Sequence, residues 1–539
     1  MPTPQDKHGE AAKRIFYPSF DGGLNYSVPN ESLPKNELKE ALNVEFSSKT
    51  GAMTVRGGLV WSGGFEYNIV DVVPVPGDKG FLVRTRNSTG GEKVFYYVWN
   101  YVWEVDGLFS GFNYPSIVKW DDYYIVASGG QLQKFTPTLS PTLEDIANAP
   151  VSYCNHVFTR DGRVGCVFKS DTIMFSATGD CTRWPTVDIK TEEVSINTGE
   201  GNGGPQFVEI GYHDGMDIDA IVPLSQDLII FKSPHGESVA YGKKSTKSEP
   251  DKGTIFRLTG QFPDWQVLEV AHNTGTFNSR SVQVVGNDIF YLTVAGLATL
   301  SNVTAYGDVK TAWPDRKVSS VLTPLLDKTA QLWNIPVKQQ LWVIPSLDTK
   351  GLSETALELK KQIWVLDYTK GVWTKFKFPE IPTYAIGIDD RLFIFIGRDM
   401  YELKDNYTQD DMKDDSSDTG TTKKDIEAIM VLGSLLNGWQ TLIKGVFASF
   451  YIMPGCEAKL MLKKFSLPFE SNIDPDYIYD PPNSTVDYAY TDDDPLFQEG
   501  GVMTARRRCV VRDWAIMPEI RFKGGCSSVS TIGLEVVEV

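Results

Sequence analysis

Short apolar runs cut by turn residues recur along most of this chain, and they confine it to a mainly β fold. FLVRTR (81–86), KVFYYVWNYVWEV (93–105), YYIVASG (123–129), DTIMFSAT (171–178) and DLIIFKS (227–233) are followed by DIFYLTV (288–294), QLWVIPS (340–346), QIWVLDY (362–368), VWTKFKF (372–378) and RLFIFIG (391–397). These runs are rich in Val, Ile, Phe, Tyr and Trp, the residues that suit a pleated, half-buried surface. Turn signals separate them: Asp106-Gly107, Gly129-Gly130, Asp161-Gly162, Gly286-Asn287, Lys370-Gly371 and Asp389-Asp390. Segments 281–301 and 383–404 share one pattern of strand, tight turn, strongly apolar strand, turn and strand. Roughly 345 residues of such repetition, at about 40–50 per four-stranded unit, predict a β-propeller of six to eight blades. Radial repetition avoids long exposed edges. A pair of β-sandwiches is the alternative.

The organisation read from composition is an N-terminal extension (1–58), a propeller (59–405), an acidic linker or loop (406–425) and a C-terminal β-domain (426–539). The C-terminal region is strand-rich again, with GVFASFYIM (445–453), AKLMLKKF (458–465), RCVVRDWAI (508–516), EIRFKG (519–524) and TIGLEVVEV (531–539). A long acidic, Tyr-rich insertion (471–500) interrupts it, and loops of that length are usually functional or disordered. Helical patterns are few: 34–44, with Pro34 near its first turn, then 142–149, and 315–330, interrupted by Pro324.

Charge and cysteines exclude several classes. With 52 Lys+Arg against 69 Asp+Glu, the net charge of −17 argues against a general nucleic-acid binder held by phosphate neutralisation. It leaves open a surface that DNA must slide past without sticking. No apolar run approaches the roughly 20 residues that span a bilayer, and no secretory signal is visible at the N-terminus. The six cysteines form no CxxC pair and read as reduced and mostly buried.

Catalytic and metal chemistry find little purchase. Glu192-Glu193 and Asp410-Asp411 read as solvated surface rather than acid–base pairs. No G-x-S-x-G or HExxH occurs. The cluster Gly199–Gly204 lacks the Lys-Ser/Thr of a phosphate loop. The Asp-rich stretches 410–418 and 487–494 lack EF-hand spacing. Asp367–Trp373 is similar to the Asp-box turn of sialidases but lacks the Ser/Thr two residues before the Asp. Arg506-Arg507-Arg508, the strongest basic cluster, suits either a phosphate contact or, preferentially, an inter-subunit fork to carboxylates. No catalytic residue, cofactor or bound metal is predicted.

The N-terminal stretch is the most specific. It runs Phe20-Asp-Gly-Gly-Leu-Asn25, Leu33-Pro-Lys-Asn-Glu-Leu38, Ala41-Leu-Asn-Val44 and Gly51-Ala-Met-Thr-Val-Arg-Gly57. Further segments are Met174–Trp184, Asp227–Lys232 and Gly275–Val282 with Asp288–Leu292. Together they resemble the tail nozzle, or tail tubular protein B-like, family of short-tailed bacteriophages. Related elements occur in other phage tail components.

The resemblance implies a propeller with an additional β-rich platform formed by the N-terminal segment and the C-terminal region. It also implies a homo-hexameric ring around the DNA exit channel. Expected partners are an upper tail or adaptor ring protein, tail fibres or spikes, and double-stranded DNA in transient passage without specific binding. The expected location is the virion tail, after synthesis in the host cytoplasm. The 471–500 insertion departs from a minimal family member. Leu38, Leu42, Arg506, Arg507 and Arg508 are expected near subunit or partner interfaces. Asp410, Asp411, Asp492, Asp493 and Asp494 are expected on channel or tip loops. The rival readings are a receptor-binding or baseplate propeller of a phage tail and a polysaccharide-degrading tail enzyme.

Overall fold

A computed structural model describes residues 13–17, 19–47, 51–151, 153–188, 193–196, 198–211, 214–234, 252–301, 314–347, 354–414, 420–454, 456–465, 501–525 and 527–538; over 435–447 and 501–516 the description covers the backbone alone. Seven small antiparallel sheets stand in a ring among the described residues. Their inner strands are Asn68–Pro74, Ser116–Trp120, Cys154–Arg160, Met216–Leu224, Val282–Val285, Gln331–Ile335 and Tyr384–Ile388. From each, the following strands step outward in chain order, four to a blade except for three in blade 5, with blade 7 taking its outermost strand from earlier in the chain. Each inner strand touches that of the next blade, and the seventh touches the first, so the ring closes. The chain is a seven-bladed β-propeller carrying a further β-rich platform.

Closure is made by an early strand. Gly58–Gly64 pairs antiparallel with Asp399–Lys404 and supplies the outer strand of blade 7. A residue near the start of the propeller thus latches its last blade. Gly58 sits so tightly that a Cβ would lie 2.0 Å from the Gln409 carbonyl oxygen. Backbone on both sides has no flexible end to yield. Gly58→Ala is expected to lower stability by about 1–3 kcal/mol, read as an earlier denaturation midpoint.

The hydrophobic core is a set of inter-blade layers. Blade 6 explains why its runs show no clean alternation. Ile363 and Val365 join Trp342, Phe376 and Phe378 on the face toward blades 7 and 1. Trp364 and Leu366 join Leu341, Val343 and Trp373 on the other, with Leu292 and Leu297 of blade 5 and the platform core. Both faces are buried, so successive residues are all apolar. Tight two-residue turns separate the strands. Asp161 and Gly162 both take left-handed backbone (φ 51° and 67°), as the sequence signal at that turn requires.

The platform is continuous with blade 6. Lys13–Tyr17 pairs with Ser528–Glu538, and Glu37–Leu42 pairs with Glu427–Leu432. The long strand Gly501–Lys523 pairs with Leu435–Ile452 along one stretch and with Glu457–Phe465 along another. Glu37–Leu42 also meets the outer strand of blade 6, Val372–Lys377, in parallel at Leu42 and Lys375. One fourteen-stranded sheet therefore contains the first and last described strands and a whole blade.

Several sequence expectations are corrected. Segment 34–44 is not a helix but contains the strand Glu37–Leu42. A register shift between Leu38 and Glu40 puts Leu38 and Ala41 on the same buried side. That i, i+3 spacing imitates a helical period. Segment 142–149 is the strand Thr142–Asp145 followed by a turn, and 315–330 holds only the short helical turns Ser319–Leu322 and Thr323–Leu325. The supposed linker at 406–425 contains a hairpin of Gln409–Lys413 with Thr421–Asp425. Its outer strand is fully exposed, which explains its polarity, while Asp410 and Met412 are buried. The 471–500 insertion lies outside the described residues. No helix among the described residues is long and apolar enough to cross a membrane.

Candidate functional site

The segment bearing the family resemblance is the weld between platform and propeller. Gly23 has φ 61°, and a Cβ there would stand 2.8 Å from the Trp373 backbone nitrogen of blade 6. Only glycine meets both conditions. Phe20 and Leu24 are completely buried on either side. Asn25 donates to Glu37 Oε2 at 2.5 Å, while its Oδ1 accepts from the backbone and hydroxyl of Ser27. Three glutamates of the adjoining stretch pair with lysines of the propeller: Glu37 with Lys317 (2.8 Å), Glu40 with Lys375 (2.6 Å) and Glu45 with Lys338 (3.0 Å). Burial pulls the Lys338 ammonium down, but Glu45 and Asp405 outweigh it and hold the group charged.

The second clamp is Arg56 with Asp410. The Arg56 guanidinium donates to both Asp410 oxygens (2.9 and 2.7 Å), to the Gly57 and Lys377 carbonyls, and through Nε to Asn43 Oδ1. It lies over the Phe378 ring at 4.5 Å. Asp410 Oδ1 also accepts from the Leu59 backbone in the latch strand. Four pieces of chain distant in sequence meet on this one ion pair, with side-chain exposures of 1% and 3%.

The third feature fills the hub. Asp71, on the inner strand of blade 1, takes Arg84 Nε at 2.7 Å and also pairs with Arg280, which precedes blade 5. These blades are not neighbours in the ring, so the contact crosses the axis. The Tyr114 hydroxyl reaches the Val72 carbonyl (2.9 Å) and the Tyr384 hydroxyl of blade 7 (3.1 Å). Arg280 stacks on the Tyr114 ring at 4.4 Å. Burial raises the Tyr114 phenol well above its ordinary range and raises the Tyr384 phenol as well, so both stay protonated.

Near this end of the hub, Asp327 accepts from Thr329 and Ser346 and from Lys360 Nζ (3.0 Å). Burial pushes its carboxyl up, but the Ser346, Thr329 and Lys360 contacts outweigh it and leave the group below the usual carboxylate range. A depressed carboxylate stabilises above its unfolded value of about 3.9 and loses that contribution as pH falls through the folded value. Asp327→Asn is therefore expected to be less stable than the parent at neutral pH. The gap should shrink in acid, read by denaturation midpoints across the acid range.

The sequence-chosen residues fall unevenly on this frame. Leu38 is completely buried in the platform core and Leu42 is half-buried at the junction with blade 6, so both belong to an internal seam. Asp410 is a buried clamp residue, not a loop tip, and Asp411 beside it is half-buried. Arg506, Arg507 and Arg508 lie opposite Phe447, Val446 and Gly445 in the long-strand pairing; their side chains are outside the described residues. Asp492, Asp493 and Asp494 are outside them altogether. Arg56, Asp71, Arg84 and Arg280 were missed. Asp71 and Arg84 interrupt otherwise apolar strand segments, and Arg56 and Arg280 lie in segments that only the resemblance singles out. Cys154, Cys166, Cys181 and Cys456 are buried thiols. Among the described residues no group of three or more His, Cys, Asp or Glu side chains is arranged to hold a metal ion.

No family model and no curated protein matches the chain. Solved structures do. An exo-β-1,3-galactanase of Phanerochaete chrysosporium is 8% identical with a TM-score of 0.26, over 89% of this chain and all of that one. The WD40 domain of SCAP from fission yeast is 10% identical with a TM-score of 0.33, over 68% and 98%. PorZ, a surface component of the type-IX secretion system of Porphyromonas gingivalis, is 10% identical with a TM-score of 0.38, over 83% and 60%. Likenesses this faint carry nothing about activity. The propeller itself rests on the strand order and the closed ring of inner strands.

Proposed function

We propose that this chain is a structural protein of a short-tailed phage tail, the nozzle through which the genome leaves. Six copies form a ring below an upper tail or adaptor protein, carry fibres or spikes, and perform no bond-making chemistry. The observation that carries this reading is the weld. The glycine-rich segment and its three Glu–Lys pairs fasten the platform strands to the propeller, with blade 6 continuing the platform sheet, an arrangement suited to a load-bearing wall.

The filled hub bears on where DNA would run. The B-DNA major groove alone is about 12 Å wide, and the contact of Arg280 with Asp71 spans the propeller axis. The conduit in this reading therefore runs between subunits. A chain of net charge −17 repeated around a ring gives a field that repels phosphate and keeps the duplex centred.

The test is assembly. Sedimentation velocity of the purified protein, alone and with tail components, is expected to show a closed hexamer. Charge reversal at Arg506–Arg508 should leave the folded monomer but lose the ring. A wild-type chain that stays monomeric in assembled tails, or one that releases sugars from host surface polymer, ends this reading.

A further inference from the structure

We infer that the mouth of the propeller hub binds an oxyanion carried on a sugar-sized polar molecule. The inference does not rest on the nozzle reading. A cavity of about 390 Å³ opens toward the starts of the inner strands, walled by residues of blades 2 to 6 and the segments that lead into them. That size falls within the roughly 300–1,000 Å³ of small-molecule sites. Its lining includes Arg280, Lys328, Gln331, Asn155, Asp219 and Phe277.

The lining offers several donors beside the one carboxylate of Asp219. Arg280 gives Nη2 to Asp71 and has no other side-chain hydrogen bond among the described residues. Asp71 is already held by Arg84, so two guanidiniums share one carboxylate. Lys328 is exposed and has no acidic partner among the described residues. Of the charged side chains that line the cavity, Arg280 and Lys328 are cationic and Asp219 is anionic, within a chain that is strongly negative.

Gln331 sharpens the case. Its side chain is 3% exposed, and its oxygen accepts from Trp333 Nε1 at 2.9 Å. An indole donates only, so the Gln331 oxygen must face Trp333 and the amide nitrogen must face away. That nitrogen makes no hydrogen bond among the described residues and, at the cavity lining, is open to a ligand or water.

The mouth is also preorganised. Asn278 donates to the carbonyls of Lys328 and Ala330 (3.0 Å each) and accepts from the Arg280 backbone. One side chain thus fixes both cationic residues on the same wall. Opposite, Asn113 donates to Asn155 Oδ1 at 2.7 Å, which leaves the Asn155 amide hydrogens available. His156 has φ 49° where the inner strand of blade 3 bulges, a device that re-aims side chains. Phe277 supplies an apolar surface for ring carbons. Charge-assisted hydrogen bonds from this set favour carboxylate or phosphate over a neutral hydroxyl.

Isothermal titration of the full chain with glucuronate and with glucose 6-phosphate, against glucose as the neutral control, tests this. At least one anion should bind about tenfold tighter than glucose, a difference of about 1.4 kcal/mol. Which anion binds separates a carboxylate source from a phosphate source. Lys328→Ala, at an exposed position, should weaken the anion severalfold without shifting thermal unfolding, and Arg280→Gln should weaken it further. Equal binding of glucose, no saturable binding of either anion, or an unchanged affinity in Lys328→Ala would overturn the inference.

Discussion

Asp71→Ala is expected to be among the most destabilising single substitutions in the propeller, costing roughly 3–5 kcal/mol. The Asp71 and Arg84 side chains are 1% and 2% exposed. Removing the carboxylate strands a guanidinium that water cannot reach, and frees Arg280 from the opposite side of the axis. Arg84 would keep only the carbonyls of Gly111, Phe112 and Asn113, which carry no full charge. The loss should appear as an earlier denaturation midpoint and as faster amide exchange in blades 1 and 5 together. The double variant Asp71→Ala/Arg84→Met should recover part of the loss, because it removes the stranded charge along with its partner. A single variant as stable as the parent would mean that the hub charges are not energetically coupled.

Asp410→Ala is the second large effect, again roughly 3–5 kcal/mol. Arg56 would lose both oxygens of its main partner, and the Leu59 backbone would lose its acceptor. The damage should be local to the join. Limited proteolysis and amide exchange are expected to loosen 53–60, 375–378 and 405–413 while the far blades stay protected. Asp411→Asn is the control. One of its oxygens is buried with no hydrogen-bond partner among the described residues, so exchange for an amide should cost little. If both substitutions behave alike, the clamp at Arg56 does not join platform to propeller.

Much of the fold is legible in the sequence because a propeller repeats a local grammar. A hairpin such as 361–378 carries its strand residues, its Lys370-Gly371 turn and a Trp on each strand, Trp364 and Trp373, within a few residues of one another. What is not local is harder to read. The strand Gly58–Gly64 completes a blade whose other strands lie more than three hundred residues later, and nothing in its own residues states that partner. Segment 34–44 imitates a helix because a bulge shifts its parity. Asp410 resembles a solvated acid among acids, and only Arg56, far away in sequence, removes it from water.

The same division holds for the sites. The glycines of 22–23 stand out in sequence, and the structure supplies their physical reason in the approach to Glu37 and Trp373. Arg280 sits in Gly275–Val282, a segment singled out for resemblance alone. Its capping by Asn278 and its reach across the hub depend on ring closure that no window of residues contains.

The central claim is that this polypeptide builds a wall around a shared axial opening. Electron cryo-microscopy of purified tails, with the chain located by its seven-bladed body, tests it most directly. Six copies are expected around an axial hole wide enough for a duplex, each propeller hub closed. Single propellers scattered at fibre tips, or duplex density running through a propeller's own axis, would contradict it.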